Sequence, residues 1–535
     1  EHNLQLHPFY NNKRYLLLKI GRNLTLNVDK IKYNKKYLVI TLNSSTKLTT
    51  SKTDILFVNE ENNSFEKATF KLVERENNNY DFAIKLKDIK NIKSGKYKIM
   101  IKVLSNSDIY PINIIDESIL NQFAKINIKI PKSKIVINLY NNNKYLEFEI
   151  TEDTISIPTF RDYLNNFVAT IFSRIIKLFY KKEVWLIGEN LGLIARDNGF
   201  AFFKYCFERQ ISEKYFYVAK KDNYDLEVLK KYKKRVINYD SLKHYLLYHL
   251  SNYLIVSHGI RDVIPSLFHS KMSKNEKDVI YLQHGIIAMK KLFFNSRSYN
   301  GKIKKFVVSS EQEKDILVNH MNFREDQVMI TGLPRYDYLY PIKNENKEIL
   351  LMPTWREWII KSKDDFLNSI FYKTYLDLIN NDELNALLEK NNITLNFLLH
   401  VEMLNYSQYF FSNSKFIKIL NPNSVNISNL IKSSKMLITD YSSVAFDFAY
   451  LRKPIIFFHF DLEDYLKHRG SYVNLVEDLP GYSSNSIEEI IAVLKRYIDN
   501  DFSLETNMVF RSKKFFDYMD RRNSERIYNE IKKLR

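Results

Sequence analysis

Between residues 1 and 150, apolar and polar side chains alternate with a period of two in short runs such as "KYLVITL", "YDFAIKL", "YKIMIKVL" and "KYLEFEI". Clusters of Asn, Ser and Asp separate the runs, and β-branched and aromatic residues fill them, which predicts an antiparallel β-sandwich over residues 1–155. The period then changes. Leu164, Phe167, Val168, Ile171, Phe172, Ile175, Ile176 and Phe179 fall on one helical face, flanked by Arg161, Arg174, Lys177, Lys181 and Lys182. This basic amphipathic segment, 156–182, suits either an anionic membrane surface or packing as a connector against a neighbouring domain. The pattern alone does not choose between them.

From Glu183 onward, short apolar runs alternate with helix-length segments: "VWLIG", "YLIVSH", "VIYLQHG", "EILLMPTW", "KMLITDYSS" and "KPIIFFHF". Buried parallel strands covered by helices on both faces read this way. The polar stretch "YPIKNENKE" separates two such series. The expected fold is α/β: two doubly wound, Rossmann-like domains, 183–345 and 346–510, facing across a cleft behind the β-sandwich. The basic tail 511–535 is expected to be helical.

Composition adds a charge. In 535 residues, 81 Lys and Arg face 62 Asp and Glu, a formal net charge of +19, which favours a polyanionic partner unless the Lys-rich, Asn-rich composition is a general bias. The single cysteine, Cys206 in "FFKYCFE", reads as a buried, inert thiol. No run of eighteen apolar residues occurs, and no basic then apolar leader opens the sequence, so the expected location is cytoplasmic. The first residue is not Met.

In parallel α/β sheets, ligands sit beyond the carboxyl ends of strands, so polar clusters directly after apolar runs are candidates for chemistry. "KMLITDYSS" places Asp440, Ser442 and Ser443 there, an arrangement suited to an anion. "VIYLQHGIIAMKK" places His284, a base near neutral pH, beside Gly285, which permits close approach of a substrate. Arg356 in "LLMPTWRE", His400 ending "LNFLLH", and Arg335 in "ITGLPRYD" occupy the same kind of position. The guanidinium fork of Arg356 matches a phosphate. His244, His249, His258, His269, His320, His459 and His468 show no zinc-ligand spacing and read as surface or packing residues.

Together these stretches resemble the CDP-glycerol glycerophosphotransferases, which build teichoic acids and related phosphopolyol polymers. The resemblance rests on "WLIGENLGLIARDNGFAFFKY", "LQHG", "TGLPRYD", "MPTWRE", His400, "LITDYSSVAFDFAYLRKPIIFF" and "RGSYVNLVEDLPG", in that order over residues 183–510. It implies a GT-B fold, with 183–345 on the acceptor side and 346–510 on the nucleotide side. It also implies catalytic roles for His284 and His400, and substrate-binding roles for Gly285, Arg335, Arg356, Asp440, Ser442 and Ser443. Two departures stand out: the family's His-Gly-Thr-Pro-Leu-Lys is "HGIIAMK" here, and the Pro after the second histidine is Val401.

The implied reaction moves a polyol phosphate, glycerol phosphate first, from a CDP-polyol to a hydroxyl of a lipid-linked polyanionic acceptor at the inner membrane face, releasing CMP. No cofactor is required, and no acidic cluster with metal-ligand spacing is evident, although a divalent cation is compatible with the chemistry. CDP-ribitol as donor, or a GT-B glycosyltransferase using a nucleotide sugar, are the alternatives. A nonenzymatic nucleic-acid binder is disfavoured, since no RNA-binding fingerprint occurs.

Overall fold

The computed structural model describes residues 4–10, 16–22, 26–33, 36–45, 47–48, 53–59, 65–68, 70–75, 78–86, 95–103, 108–112, 127–129, 135–141, 146–152, 158–180, 182–292, 294–340, 347–360, 363–422 and 424–534. The chain divides into two compact units, 1–157 and 158–535.

The first unit is antiparallel throughout its described strands. Leu4–Tyr10 (β1) pairs with Leu16–Arg22 (β2). One sheet runs Leu26–Tyr33 (β3), Tyr37–Ser44 (β4), Asn79–Lys85 (β8), Phe70–Glu74 (β7). Another runs Asn127–Lys129 (β11), Ile135–Asn141 (β12), Leu146–Glu152 (β13), Gly95–Val103 (β9), Thr53–Asn59 (β5), Phe65–Ala68 (β6), with Asp108–Pro111 (β10) also on β9. Leu38, Ile40 and Phe82 of the first sheet share one core with Ile55, Phe57, Ile99 and Ile101 of the second. The period-two alternation therefore buries one face of each sheet against the other.

The second unit opens with the helix Phe160–Phe179, started by a capping box between Thr159 and Asp162. Its small residues, Ala169 and Ser173, are buried, and Asn166 and Thr170 meet His249 of the helix Leu242–Leu250 at 2.8 and 3.2 Å. The apolar face noted in the sequence is exposed: Phe167 retains 63% and Phe179 86% of its surface. Among the described residues, no helix is long and apolar enough to cross a membrane.

Two parallel sheets follow. The first has the order Val236–Asn238 (β16), Lys214–Ala219 (β15), Val184–Gly188 (β14), Tyr253–Val256 (β17), Asp278–Tyr281 (β18), Ile303–Val308 (β19), Val328–Ile330 (β20). The second has the order Ile417–Leu420 (β23), Thr394–Leu398 (β22), Glu348–Leu351 (β21), Met436–Thr439 (β24), Ile455–Phe458 (β25), Tyr482–Ser484 (β26). Chain order reverses direction between β14 and β17 and between β21 and β24, where crevices open at the strand ends. A continuous buried cluster, including Ile286 and Met289 from the first half and Tyr441 and Val444 from the second, joins the two.

The tail forms two helices, Thr506–Ser512 and Asn523–Lys532, and returns to the first half. Asp337 accepts the N–H groups of Asn523 and Ser524 at 2.9 and 2.7 Å, Tyr528 and Lys532 reach Glu213 at 3.0 and 3.2 Å, and Tyr528 packs on Trp185. Asp337→Ala is expected to cost about 0.5–2 kcal/mol, the loss of a helix cap, read as a lower midpoint in chemical denaturation.

Candidate active site

The backbone that carries His284 is pinned by a buried carboxylate. Glu313 accepts the Gln283 side-chain amide at 2.9 Å, the Ile287 N–H at 2.7 Å, and the N–H and hydroxyl of Ser309 at 2.7 and 3.0 Å. Gln283, the residue just before His284, is held in the left-handed region at φ 51 and also donates to Val307 O at 2.9 Å. Such a conformation costs energy in a non-glycine residue and persists only where the surroundings fix it.

The His284 ring is open to a cavity and stacks on His258, centroids 5.1 Å apart and planes 11° apart. Loss of water around the ring lowers its pKa to about 4, assisted by the neighbouring His258, while the Asp197 carboxylate opposes the shift. The imidazole is therefore neutral at physiological pH, the form that accepts a proton.

The turn after β24 is built equally tightly. Asp440 is fully buried; it accepts the N–H groups of Thr354 and Tyr441 at 2.7 and 2.6 Å and the Tyr375 hydroxyl at 3.2 Å. Arg356, also 0% exposed, meets Asp440 at 2.9 Å and holds Asp461 through two bonds of 2.9 and 3.1 Å. Burial alone would lower the guanidinium pKa; the two carboxylates outweigh it and raise it. Tyr441 lies between His459 and Tyr465, nearly parallel to both, and donates to Asp461 at 3.1 Å. The product of this packing is a rigid presentation of Ser442 and Ser443.

A cavity of about 340 Å³ lies between the two strand-end clusters. His284, Gly285, His400, Ser442 and Ser443 line it. The two halves touch here: a Cβ on Gly285 would stand 2.7 Å from Ser443 Oγ, so a side chain at 285 would push the serine hydroxyl from its place. His400 Nδ1 accepts the Glu402 N–H at 3.3 Å, which leaves the proton of the neutral ring on Nε2 as a donor. Burial, then Lys290, lowers its pKa to about 4.

Arg335, Arg356 and Asp440, expected to bind substrate, do not line the cavity. Four donors of Arg335 are committed: two to Asp447 at 2.7 and 2.8 Å, one pair from Nη1 to Asp197 at 3.1 Å and to the His284 carbonyl at 2.6 Å. Arg356 has its ion pairs inside the protein, because acids far away in sequence reach it first. Both are positioned to shape the site from behind.

Conversely, His258, read from sequence as a surface or packing residue, lines the cavity with Lys290, Thr354 and Trp355. His258 follows the strand "YLIV", so the same strand-end rule that marked His284 applies to it. The Thr354 hydroxyl is buried without a hydrogen-bond partner. Lys290 is exposed to the cavity, its pKa lowered by burial and then by Arg469.

The sequence model for CDP-glycerol:poly(glycerophosphate) glycerophosphotransferase matches residues 169–533. The chain belongs to this family. Among its relatives, the minor teichoic acid biosynthesis protein GgaB of Bacillus subtilis is 31% identical over 388 residues, 69% of this chain and 41% of GgaB. The teichoic acid ribitol-phosphate polymerase TarL of Staphylococcus aureus is 28% identical over 302 residues, 50% of this chain and 49% of TarL. This glycerophosphotransferase-family chain thus spans less than half the length of those relatives. A solved structure of the wall teichoic acid polymerase TagF aligns with 70% of this chain and 97% of its own, at a TM-score of 0.48 and 19% identity.

Replacing Arg356 by Ala strands Asp440 and Asp461 without their countercharge; the expected cost is about 3–5 kcal/mol of stability, seen as a lower denaturant midpoint. An unchanged midpoint contradicts the buried-triad role.

Proposed function

We propose that the chain transfers a polyol phosphate from a CDP-polyol to an acceptor hydroxyl, releasing CMP, at a GT-B-type cleft between residues 183–345 and 346–510. One observation carries the reading: a neutral imidazole from one half and a hydroxyl pair from the other line the same cavity, in contact through Gly285 and Ser443.

In this reading His284 removes the proton of the attacking hydroxyl, a contribution of about 10²–10⁴-fold in general-base catalysis. The oxygen attacks the phosphorus bearing the polyol, and the bond to the CMP oxygen breaks. Charge grows on that leaving oxygen and on the diphosphate, where prearranged donors have most effect. Ser442, Ser443, Thr354, the His400 Nε2–H and the Lys290 ammonium supply them. Arg335, Arg356 and Asp440 act as positioning residues. Trp355, parallel to His400 at a centroid distance of 5.9 Å, fixes that ring.

Glycerol phosphate is the first candidate for the transferred group, in keeping with the family description. Ribitol phosphate is the second, because relatives of similar identity include ribitol-phosphate polymerases of Bacillus spizizenii and Staphylococcus aureus. The acceptor is proposed to sit at an anionic membrane surface. The exposed apolar face of Phe160–Phe179 adjoins a second cavity rimmed by Lys214, Lys234 and Arg235, the charge arrangement that anionic lipid favours.

Incubation with labelled CDP-glycerol, CDP-ribitol and UDP-sugars tests the donor; CMP release from a CDP-polyol is expected, and turnover of UDP-sugars alone overturns the reading. His284→Ala is expected to lose at least about 100-fold in turnover, within the range for a general base, while retaining donor affinity by calorimetry. Because the His284 pKa is lowered, the active neutral form persists as pH falls and is lost only on approaching about 4. An acid limb of kcat/KM near that pH is expected; a limb at the ordinary imidazole pKa overturns the lowered pKa, and a limb that persists in His284→Ala removes the assignment.

A further inference from the structure

The second cavity, of about 400 Å³, lies at the far end of the first parallel sheet from His284. Val184 and Lys214, which line it, are the first residues of β14 and β15, and Arg235 immediately precedes β16. The cavity of His284 instead begins at Tyr281, the last residue of β18. Parallel strands of this length, at ~3.3 Å per residue, hold the two openings roughly 15 Å apart. A group held at one therefore does not touch the reacting atoms at the other.

The floor of this cavity is apolar. Ile176 comes from the helix Phe160–Phe179, Phe216 from β15, and Leu247 and Leu250 from the helix Leu242–Leu250. The rim is cationic: Lys214 and Arg235 are half-buried and Lys234 is exposed. Among the described residues none of the three forms an ion pair, whereas Arg335 and Arg356 are both held by carboxylates. The acid nearest in sequence, Glu183, accepts the indole N–H of Trp185 at 3.3 Å, and Trp185 belongs to the core on the opposite face of the sheet. The Arg235 guanidinium lies 4.5 Å over the Tyr215 ring, a stacking that fixes its plane and leaves its N–H edge for an oxygen ligand.

Tyr180 completes the rim. Its hydroxyl is buried without a hydrogen-bond partner. Burial raises its pKa and Arg235 stands close enough to oppose the rise, so a protonated phenol lies beside the guanidinium. A buried donor without an acceptor costs free energy that a ligand oxygen would recover.

These two halves of the cavity select one chemistry. A small inorganic anion satisfies the rim and leaves the apolar floor wet; an uncharged lipid covers the floor and leaves three cations unmatched. A molecule with a phosphate at the head of a hydrocarbon chain answers both. The mouth is also placed to meet one, since Ile175, Leu178 and Phe179 of the adjoining helix are exposed.

We infer that this cavity binds a single anionic phospholipid, with the phosphate at Tyr180, Lys234 and Arg235 and the start of an acyl chain against Ile176, Phe216 and Leu247. The lipid is an anchor and not a reactant, because the site opens at the wrong end of the sheet for transfer. It rests on the proposed membrane placement only for the source of the lipid; the site is testable without a membrane.

Calorimetry of the full chain with dihexanoyl-phosphatidylglycerol, kept below its micelle concentration, provides the test, with inorganic phosphate and dihexanoyl-phosphatidylcholine as comparisons. The anionic lipid is expected to bind one per chain and at least about tenfold more tightly than either comparison. Lys234→Ala and Arg235→Ala are each expected to weaken it about tenfold, and Tyr180→Phe, which removes only the hydroxyl, about threefold to tenfold. Phe167→Ser, on the exposed helix face more than two turns from Ile176, is expected to leave this binding unchanged while weakening adsorption to phosphatidylglycerol vesicles. Equally tight binding of inorganic phosphate or of the phosphatidylcholine, no saturation at one lipid per chain, or unchanged binding by the folded Lys234, Arg235 and Tyr180 variants overturns the site. Binding of the soluble lipid by a chain that does not adsorb to vesicles overturns the membrane placement of the acceptor and leaves the site standing.

Discussion

Much of the second unit hangs on one guanidinium. Arg335 grips Asp447 on the helix Val444–Tyr450 of the second half while donating to Asp197 and to the His284 carbonyl of the first. The histidine loop and the serine turn come from different sheets, and their relative position is set by this bridge and by the glycine that lets them touch. A bidentate pair between a largely buried arginine and a buried carboxylate is strong and directional, where a single hydrophobic contact would permit sliding. Loop-to-loop bonds reinforce the junction: Tyr465 donates to Met289 O at 3.2 Å and the Tyr472 N–H to Ala288 O at 3.0 Å.

Behind each face of the cavity stands a buried acid that organises backbone. Glu313 does so for residues 283–287 and Asp440 for the serine turn; Asp262 does so for the loop of His258. In each case a carboxylate with several N–H donors fixes a loop that apolar packing alone would leave mobile. Function then falls to side chains that these loops hold out into the cavity.

The sequence revealed the parts of this arrangement that depend on local pattern. Period-two alternation marked the antiparallel strands, and polar residues after apolar runs marked His284, Gly285, His400, Ser442 and Ser443, all of which line one cavity. The same rule could not tell an arginine facing a ligand from one facing an acid. Arg356 finds Asp461 across 105 residues and Arg335 finds Asp447 across 112, and nothing near either arginine announces the partner. His258 follows its strand and precedes a glycine just as His284 does, but nothing in the sequence near it signals that the two rings stack. The Phe160–Phe179 helix was legible as amphipathic, but which face packs was decided by the small residues Ala169 and Ser173, whose value lies in close approach and not in hydrophobicity.

The docking of Asn523–Lys532 against Trp185 and Glu213 also bears on how the chain matures during synthesis. Trp185 belongs to β14, the strand made first in its sheet, yet its packing partner Tyr528 is translated only after the whole second sheet. The first parallel sheet therefore lacks one of the aromatic partners of Trp185 for the whole time that the second is being translated. The first sheet cannot complete its packing before the helix Asn523–Lys532 arrives.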